Sequence, residues 1–395
     1  MNDLNKCTQR KVGTVNRMVR VMCYAALMLA GVGIPTVTLG ADPSVEQVIN
    51  STVPTIFLNS GAPGMVIAIV RKGDLIIQGY GETSAGNGQK PSAISLVRVG
   101  SISKVLATDL MVKLAKERKL RLSDPLQMYA PAGSRVPSLD RDRPITLLDL
   151  ATHTSGLSRS VSGQPPRGAP PFTWPDKAAR WNWLVKQKLI SIPGSAALYS
   201  NVAYDLLVDA IEVAGKKPYS ELFRKKTAEP LGMRDTTATP NKEQCARLMV
   251  GTGADPPGPC ADTRATAGSG GMYSTAADMG AWMQYLLGVK TGNSSAQRSI
   301  AQAIYVQRQA LSSIEGLDIA GRASGLGLGW VLLAPTSNTP AILQKTGAGG
   351  GFMSYMALVP GRQVGAFVAL TKVDFDMFYA FASAVNGLVA SLDPR

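Results

Sequence analysis

Histidine is almost missing from this sequence; the single copy is His153. A site built on several imidazoles is therefore excluded, and no closely spaced cysteine pair offers the sulfur set that zinc takes. No Gly-x-Ser-x-Gly elbow is present, which argues against the nucleophile turn of the α/β-hydrolases. Neither a Walker sequence nor a dinucleotide fingerprint occurs. No metal and no organic cofactor is expected. Charged residues are scarce at 17%, whereas 45% of the 395 residues are hydrophobic. That balance excludes extensive disorder and supplies a large core, in one large domain or two intimate ones.

Long apolar runs are also missing from the body of the chain. The one candidate lies at the start, where Lys6, Arg10, Lys11, Arg17 and Arg20 precede an uncharged stretch from Val21 to Ile34. Pro35 and small or polar residues then lead to Gly40 and Ala41. The apolar stretch is short for a span of about 20 residues. Its flanks have the order of a secretory signal. Residues 1–41 are read as a signal peptide cut near Gly40 or Ala41. The alternative is an uncleaved anchor that keeps the protein at a membrane. Both place the body outside the cytoplasm.

The formal charge is +14; the leader's five basic residues and Asp3 account for +4, leaving +10 on the remainder. Such a surface suits an anionic partner. No nucleic-acid motif or dense basic run accompanies it, so an anionic wall polymer is expected rather than nucleic acid. Of four cysteines, Cys7 and Cys23 fall in the leader, and Cys245 and Cys260 fall in a Gly/Pro-rich stretch. In an oxidising compartment the latter two are expected as one disulfide. On the chain-entropy account, closing that loop stabilises by about 3 kcal/mol.

The patterning reads as an α/β chain of the α+β kind. Residues 43–58 open on Pro43 and Ser44 and read as a helix. Residues 65–70 and 75–80 are β-rich runs around a turn, hence a hairpin. From 101 to about 116, Ile102, Val105, Leu106, Leu110 and Leu114 recur at helical spacing. The middle, to about 320, alternates helical patterns (181–188, 203–214, 276–287) with loops, the longest being the Pro/Gly-rich segment 160–175, read as a flap. Residues 328–333, 341–345, 352–359 and 364–371 are β-rich, and 375–392 closes as a helix. The expectation is a central antiparallel sheet flanked by helices, from 42–100 and 322–395, with a mostly helical insertion at 101–321. A site is expected where the two parts meet.

A serine hydroxyl needs a base to become a nucleophile. Ser101 and Lys104 stand three residues apart at the start of a predicted helix, which puts both on one face. The helix N-terminus favours developing negative charge. Desolvation and a neighbouring cation lower the pKa of such a lysine. The match is at chance frequency on its own, and two further pieces accompany it. Tyr199-Ser200-Asn201 precedes a helical pattern; a tyrosine beside two cations can shuttle protons, and Asn201 can bond a substrate amide. Lys-Thr-Gly occurs at 290–292 in a polar loop, read as a surface turn, and at Lys345-Thr346-Gly347 on a β-run. Only the second copy puts a cation and a hydroxyl on a sheet edge where a substrate can lie.

In this order and spacing, Ser101-x-x-Lys104, Tyr199-x-Asn201 and Lys345-Thr346-Gly347 resemble the serine β-lactamase/penicillin-binding-protein superfamily. The Tyr-x-Asn form is that of its class C branch. Similar stretches at 100–104, 122–126, 150–157, 230–233 and 270–279 extend the resemblance over almost everything after the leader. The resemblance implies a β-lactamase/transpeptidase-like fold and acylation of Ser101, with Lys104 and Tyr199 sharing the proton work. It implies carboxylate binding by Lys345 and Thr346. It also implies an oxyanion hole from the N–H groups of Ser101 and Ala348, worth about 3–4 kcal/mol each. His153 is structural in that family. The implied activity is that of a periplasmic D,D-peptidase, a D-alanyl-D-alanine carboxypeptidase/endopeptidase acting on peptidoglycan muropeptides. Binding of β-lactams, with weak β-lactamase activity, is expected alongside. The alternatives are a dedicated class C β-lactamase, a carboxylesterase of the same fold, and a non-catalytic wall-binding module.

Overall fold

Strand-forming runs from the two ends of the chain meet in one sheet. The computed structural model describes residues 43–140, 143–255, 257–289 and 295–393. The expected leader 1–41 and the Lys-Thr-Gly copy at 290–292 lie outside the described residues. Eight strands form the sheet: β1 (Gly64–Arg71), β2 (Asp74–Gly81), β3 (Ile304–Gln307), β4 (Ala323–Gly327), β5 (Val331–Leu333), β6 (Ile342–Gly349), β7 (Phe352–Val359) and β8 (Val364–Leu370). Their order is β2-β1-β8-β7-β6-β5-β4-β3. Neighbours are antiparallel throughout, with β1 and β8 registered at Ile67↔Val368.

The central strands are apolar on both faces because both faces are covered. Met65, Ile67 and Ile69 of β1 belong to a cluster with Val45, Ile49, Val53 and Ile56 of helix α1 (Pro43–Ser60). Phe378, Phe381 and Val385, on what becomes the last helix, complete it. Val66, Ala68 and Val70 face the other way, into the larger cluster of the helical part. Alternation with period two thus divides one strand between two cores. Helix α2 (Ser103–Lys116) is buried on every side from Ser103 to Leu114, so it runs through the core. Lys113 and Asp109 on it pair at 2.8 Å. Helices α3 (Asn201–Gly215), α4 (Ala276–Leu286) and α5 (Phe378–Ser391) complete the frame needed here.

Three expectations need correction. The run 328–333 is not one strand; β4 ends at Gly327, a turn follows, and β5 starts at Val331. That turn is clasped to helices: Thr108 Oγ1 of α2 donates to Leu328 O at 2.8 Å, and Gly329 N donates to Ala151 O at 2.9 Å. β6 does not stop at Lys345 but continues through Thr346 and Gly347 to Gly349. Strand β3 lies within 101–321 yet pairs with β4 in the main sheet, across a bulge between Ile304 and Val306. A four-residue edge strand carries too little alternation to stand out from its helical surroundings.

Cys245 and Cys260 form a disulfide, with Cα atoms 5.6 Å apart. The loop it closes is held on the sheet side by Arg98, which donates to Gly258 O at 3.2 Å and Pro259 O at 2.7 Å. Asp255 of the same loop accepts from Gly350 N at 2.9 Å, just beyond β6. Replacing both cysteines by serine is expected to cost about 3 kcal/mol, read as a fall in the denaturant midpoint. An unchanged midpoint would mean that the hydrogen bonds of Arg98 and Asp255 hold the loop without the disulfide.

Candidate active site

The site begins where α2 meets β6. Residues Gly100–Ile102 make one tight turn that runs into α2. Gly100 has φ +51°, and a Cβ there would stand 2.7 Å from Ala348 N. A Cβ on Gly347 would collide with Val99 O and Ser354 Oγ and come within 3.2 Å of Ser101 N. Side chains larger than hydrogen at either position would push the helix off the strand. Their absence lets the turn that carries Ser101 lie directly against Gly347 and Ala348. Ser354 Oγ donates to Val99 O at 2.8 Å and fastens the turn to the sheet.

Lys104 is fully buried one helical turn further on. Its Nζ donates to Ser101 Oγ at 3.1 Å, Asn201 Oδ1 at 2.8 Å and Ser269 O at 2.6 Å. Burial pushes the ammonium down to about 7; the charge of Asp205 opposes the shift and that of Arg159 adds to it. Asp205 accepts from Ser269 N and Ser269 Oγ, both at 3.0 Å. Burial raises this carboxyl to about 6 against the pull of Arg180, Ser269 and Lys104. Asp205 therefore acts on Lys104 through Ser269.

Tyr199 Oη donates to Ser101 Oγ at 2.6 Å. Its position is set by the start of α3. Ser200 caps the helix, accepting from Ala203 N at 3.1 Å and donating to Ser158 O at 2.7 Å, as such cap residues do. Tyr199 N donates to Glu315 O at 3.0 Å, and Asn201 N to Arg159 O at 2.7 Å. The phenol ring has Lys104 Nζ at 4.8 Å, Lys345 Nζ at 5.0 Å and Arg159 Cζ at 4.8 Å from its centre. His153 stacks on the same ring at 4.6 Å. Its Nδ1 accepts from Ser200 N at 3.0 Å. Burial, with the charges of Lys345, Lys104 and Arg159, holds the imidazole well below its usual range. It stays neutral and braces the tyrosine; its hydrogen bond goes to the helix cap and not to Ser101.

On β6, alternation sends neighbouring side chains to opposite faces. Thr346 and Ala348 line the cleft. Lys345 is only 1% exposed. Burial lowers its ammonium to about 8, the nearby Tyr199 opposing and Lys104 and Arg159 adding to the fall. Lys345 Nζ lies 5.0 Å from the centre of the Tyr199 ring.

The cleft has a volume of about 500 Å³ and also takes in Asn201, Arg159, Asp205, Phe172, Trp174 and Asp255. The segment 160–175 forms one wall: Phe172 O accepts from Thr266 Oγ1 at 2.5 Å, and its ring lies over Gly270 and Gly349. Sequence reasoning missed Arg159, Asp205 and Ser269. Asp205 follows Asn201 by four residues on α3, a spacing that shares one helix face and could have revealed it. Arg159 stood at the border of the recognised flap. Ser269 acts through its backbone and carries no sequence signal.

The family model described as Beta-lactamase matches residues 46–390. The chain is 42% identical to the D-alanyl-D-alanine-carboxypeptidase/endopeptidase AmpH of Escherichia coli (strain K12), over 94% of this chain and 95% of that protein. It is similar to the crystal structure of a β-lactamase/D-alanine carboxypeptidase from Yersinia pestis complexed with citrate. There the TM-score is 0.83 at 46% identity, over 88% of this chain and 98% of that one. A class C β-lactamase at 20% identity shares the fold, with a TM-score of 0.71 over 89% of this chain and 97% of that one.

Two outcomes follow from the charges around Tyr199. Acylation of Ser101 by a chromogenic cephalosporin is expected to rise with pH through about 7, where Lys104 loses its proton, and to fall above about 8, where Lys345 loses its charge. Lys345→Met should remove the falling limb and keep the rising one; a surviving falling limb would assign it to another group. His153→Gln should lower the thermal midpoint yet keep well over a hundredth of the acylation rate, since the imidazole takes no proton.

Proposed function

Since the chain belongs to the beta-lactamase family, we propose that it is a serine D,D-peptidase that removes terminal D-alanine from peptidoglycan peptides and cleaves D,D cross-links. The observation that carries the proposal is the meeting of Lys104 Nζ and Tyr199 Oη on Ser101 Oγ, at 3.1 and 2.6 Å, beside a strand edge where an extended peptide can lie. The identity to the carboxypeptidase/endopeptidase of E. coli over nearly the whole of both chains supports the choice of substrate.

In the proposed reaction, Lys104 is a neutral amine near pH 7 and takes the hydroxyl proton as Ser101 Oγ attacks the carbonyl carbon of the penultimate residue. The carbonyl oxygen becomes an oxyanion facing the amides of Ser101 and Ala348, each worth about 3 kcal/mol in such a site. The C–N bond then breaks, and the nitrogen leaves with a proton passed back through Lys104 and Tyr199. Water attacks the ester, and the same pair returns the proton to Ser101. Asn201 holds the acyl-side amide, and Thr346 and Gly347 border the leaving side. A β-lactam fits the same path because its strained amide presents the same carbonyl.

The basic-then-apolar start supports export to the periplasm. No helix among the described residues is long and apolar enough to cross a membrane.

Four substrates separate the readings: a pentapeptide muropeptide, a cross-linked dimer, a cephalosporin and a short-chain ester. Release of D-alanine should dominate, and Ser101→Ala should abolish it, by as much as about a millionfold. Turnover dominated by the cephalosporin would make the protein a β-lactamase, and turnover dominated by the ester would make it a carboxylesterase. Full activity in Ser101→Ala would end the acyl-enzyme scheme.

A further inference from the structure

We propose that Arg159 is the residue that receives the free α-carboxylate of the leaving amino acid, in the cleft that Thr346 also lines. The inference rests on the D,D-peptidase reading for its substrate, and on the geometry alone for its residue.

The cleft needs a cation that a substrate can touch. Lys345 does not provide one, since it is 1% exposed with its ammonium 5.0 Å from the centre of the Tyr199 ring. Lys104 already spends three hydrogen bonds on Ser101, Asn201 and Ser269. Arg159 is exposed, lines the cleft and lies with Cζ 4.8 Å from the centre of the same ring. Among the described residues it has no carboxylate partner, whereas Arg143, Arg180, Arg247, Arg264 and Arg308 are each paired with an aspartate. A guanidinium presents a planar fork that matches a carboxylate with two parallel hydrogen bonds.

Its placement is fixed by the catalytic elements themselves. Arg159 O accepts from Asn201 N at 2.7 Å, and the preceding Ser158 O accepts from Ser200 Oγ at 2.7 Å. Any shift of α3 that moved Tyr199 would carry Arg159 with it. Opposite stands Gly316, where a Cβ would lie 3.6 Å from Arg159 Nη1 and 3.0 Å from Tyr199 Cβ. A side chain there would crowd the space beside the guanidinium.

The chemistry puts the carboxylate at this place. The leaving nitrogen takes its proton from the Tyr199–Lys104 side, so it departs close to Tyr199 Oη. In an amino acid the carboxyl carbon is two bonds from that nitrogen, about 2.5 Å away. The carboxylate therefore falls among the groups around Tyr199, and of these Arg159 is the cation that lines the cleft. Peptides with a free C-terminus and β-lactams with a ring carboxylate share the required anion. C-terminal amides and esters lack it.

The test uses the whole protein and two matched pairs: an N-acylated D-Ala-D-Ala peptide with its C-terminal amide, and a fluorescent penicillin with its methyl ester. The wild type should prefer the free acid in both pairs. Arg159→Gln should raise KM for the free-acid peptide at least tenfold and leave KM for the amide nearly the same, with any change in kcat shared by both peptides through Lys104, and should erase the preference among the penicillins. Arg159→Lys should restore part of it, and both variants should melt with the wild type. Retention of the free-acid preference in Arg159→Gln overturns the inference. If the wild type cleaves neither peptide, the D,D-peptidase reading fails, and the penicillin pair still decides the role of Arg159.

Discussion

A lysine head group lies in the core of this protein, and the arrangement of the site follows from keeping it there. An unpaired buried ammonium costs several kcal/mol or loses its proton. Lys104 is held by three oxygens, from Ser101, Asn201 and Ser269. None belongs to a carboxylate. A carboxylate in direct contact would favour the charged form and raise the pKa, whereas neutral dipoles seat the amine and leave desolvation in command. Asp205 remains one residue away, behind Ser269. That distance is what lets the amine titrate near 7 and serve as a base.

The three oxygens come from three segments, so the base exists only while those segments stay in register. The sheet enters through Gly100 and Gly347, whose missing side chains allow the Ser101 turn to rest on β6. Helix α3 is secured from below, where Asp209 accepts from Arg180 at 2.7 and 2.8 Å and from Trp181 Nε1 at 2.8 Å. The buried pair carries good geometry and a further donor, the condition under which such a pair holds an element in place. On the far side, Arg98 and the disulfide loop fix the end of the β6–β7 hairpin through Asp255 and Gly350. Interactions that stabilise the fold are thus the same ones that set distances at the nucleophile.

Much of this was legible in the sequence, for a physical reason. Ser101 and Lys104 share a helix face by spacing alone, and Tyr199-Ser200-Asn201 doubles as a helix cap, so both left local signals. Lys345-Thr346-Gly347 was separated from its duplicate by lying on a strand. The side-chain alternation of that strand, which turns Lys345 inward and Thr346 outward, needed the true extent of β6 to Gly349. Ser269 contributes a carbonyl, which every residue has, and no pattern marks it. Arg159 carries no local signal; its backbone bond from Asn201 N and the approach of its guanidinium to the ring set it against Tyr199. The turn at 328–330 read as strand because Leu328 and Trp330 are buried, Trp330 against Trp282 of α4, a tertiary cause that a local pattern cannot contain.

The charges around Tyr199 link the two halves of the reaction. Lys104, Lys345 and Arg159 stand about one ring, with a neutral histidine beneath it. In the free protein burial empties Lys104 of its proton and the charge of Arg159 adds to that fall, which is what attack by Ser101 requires. A substrate carboxylate seated against Arg159 offsets part of that charge, and the proton affinity of Lys104 rises as a result. The amine that accepts the serine proton is then the better holder of it until the leaving nitrogen needs it. An uncharged substrate would supply no such compensation. The carboxylate that Arg159 receives thus also bears on the base, through the charge that Arg159 holds over Lys104.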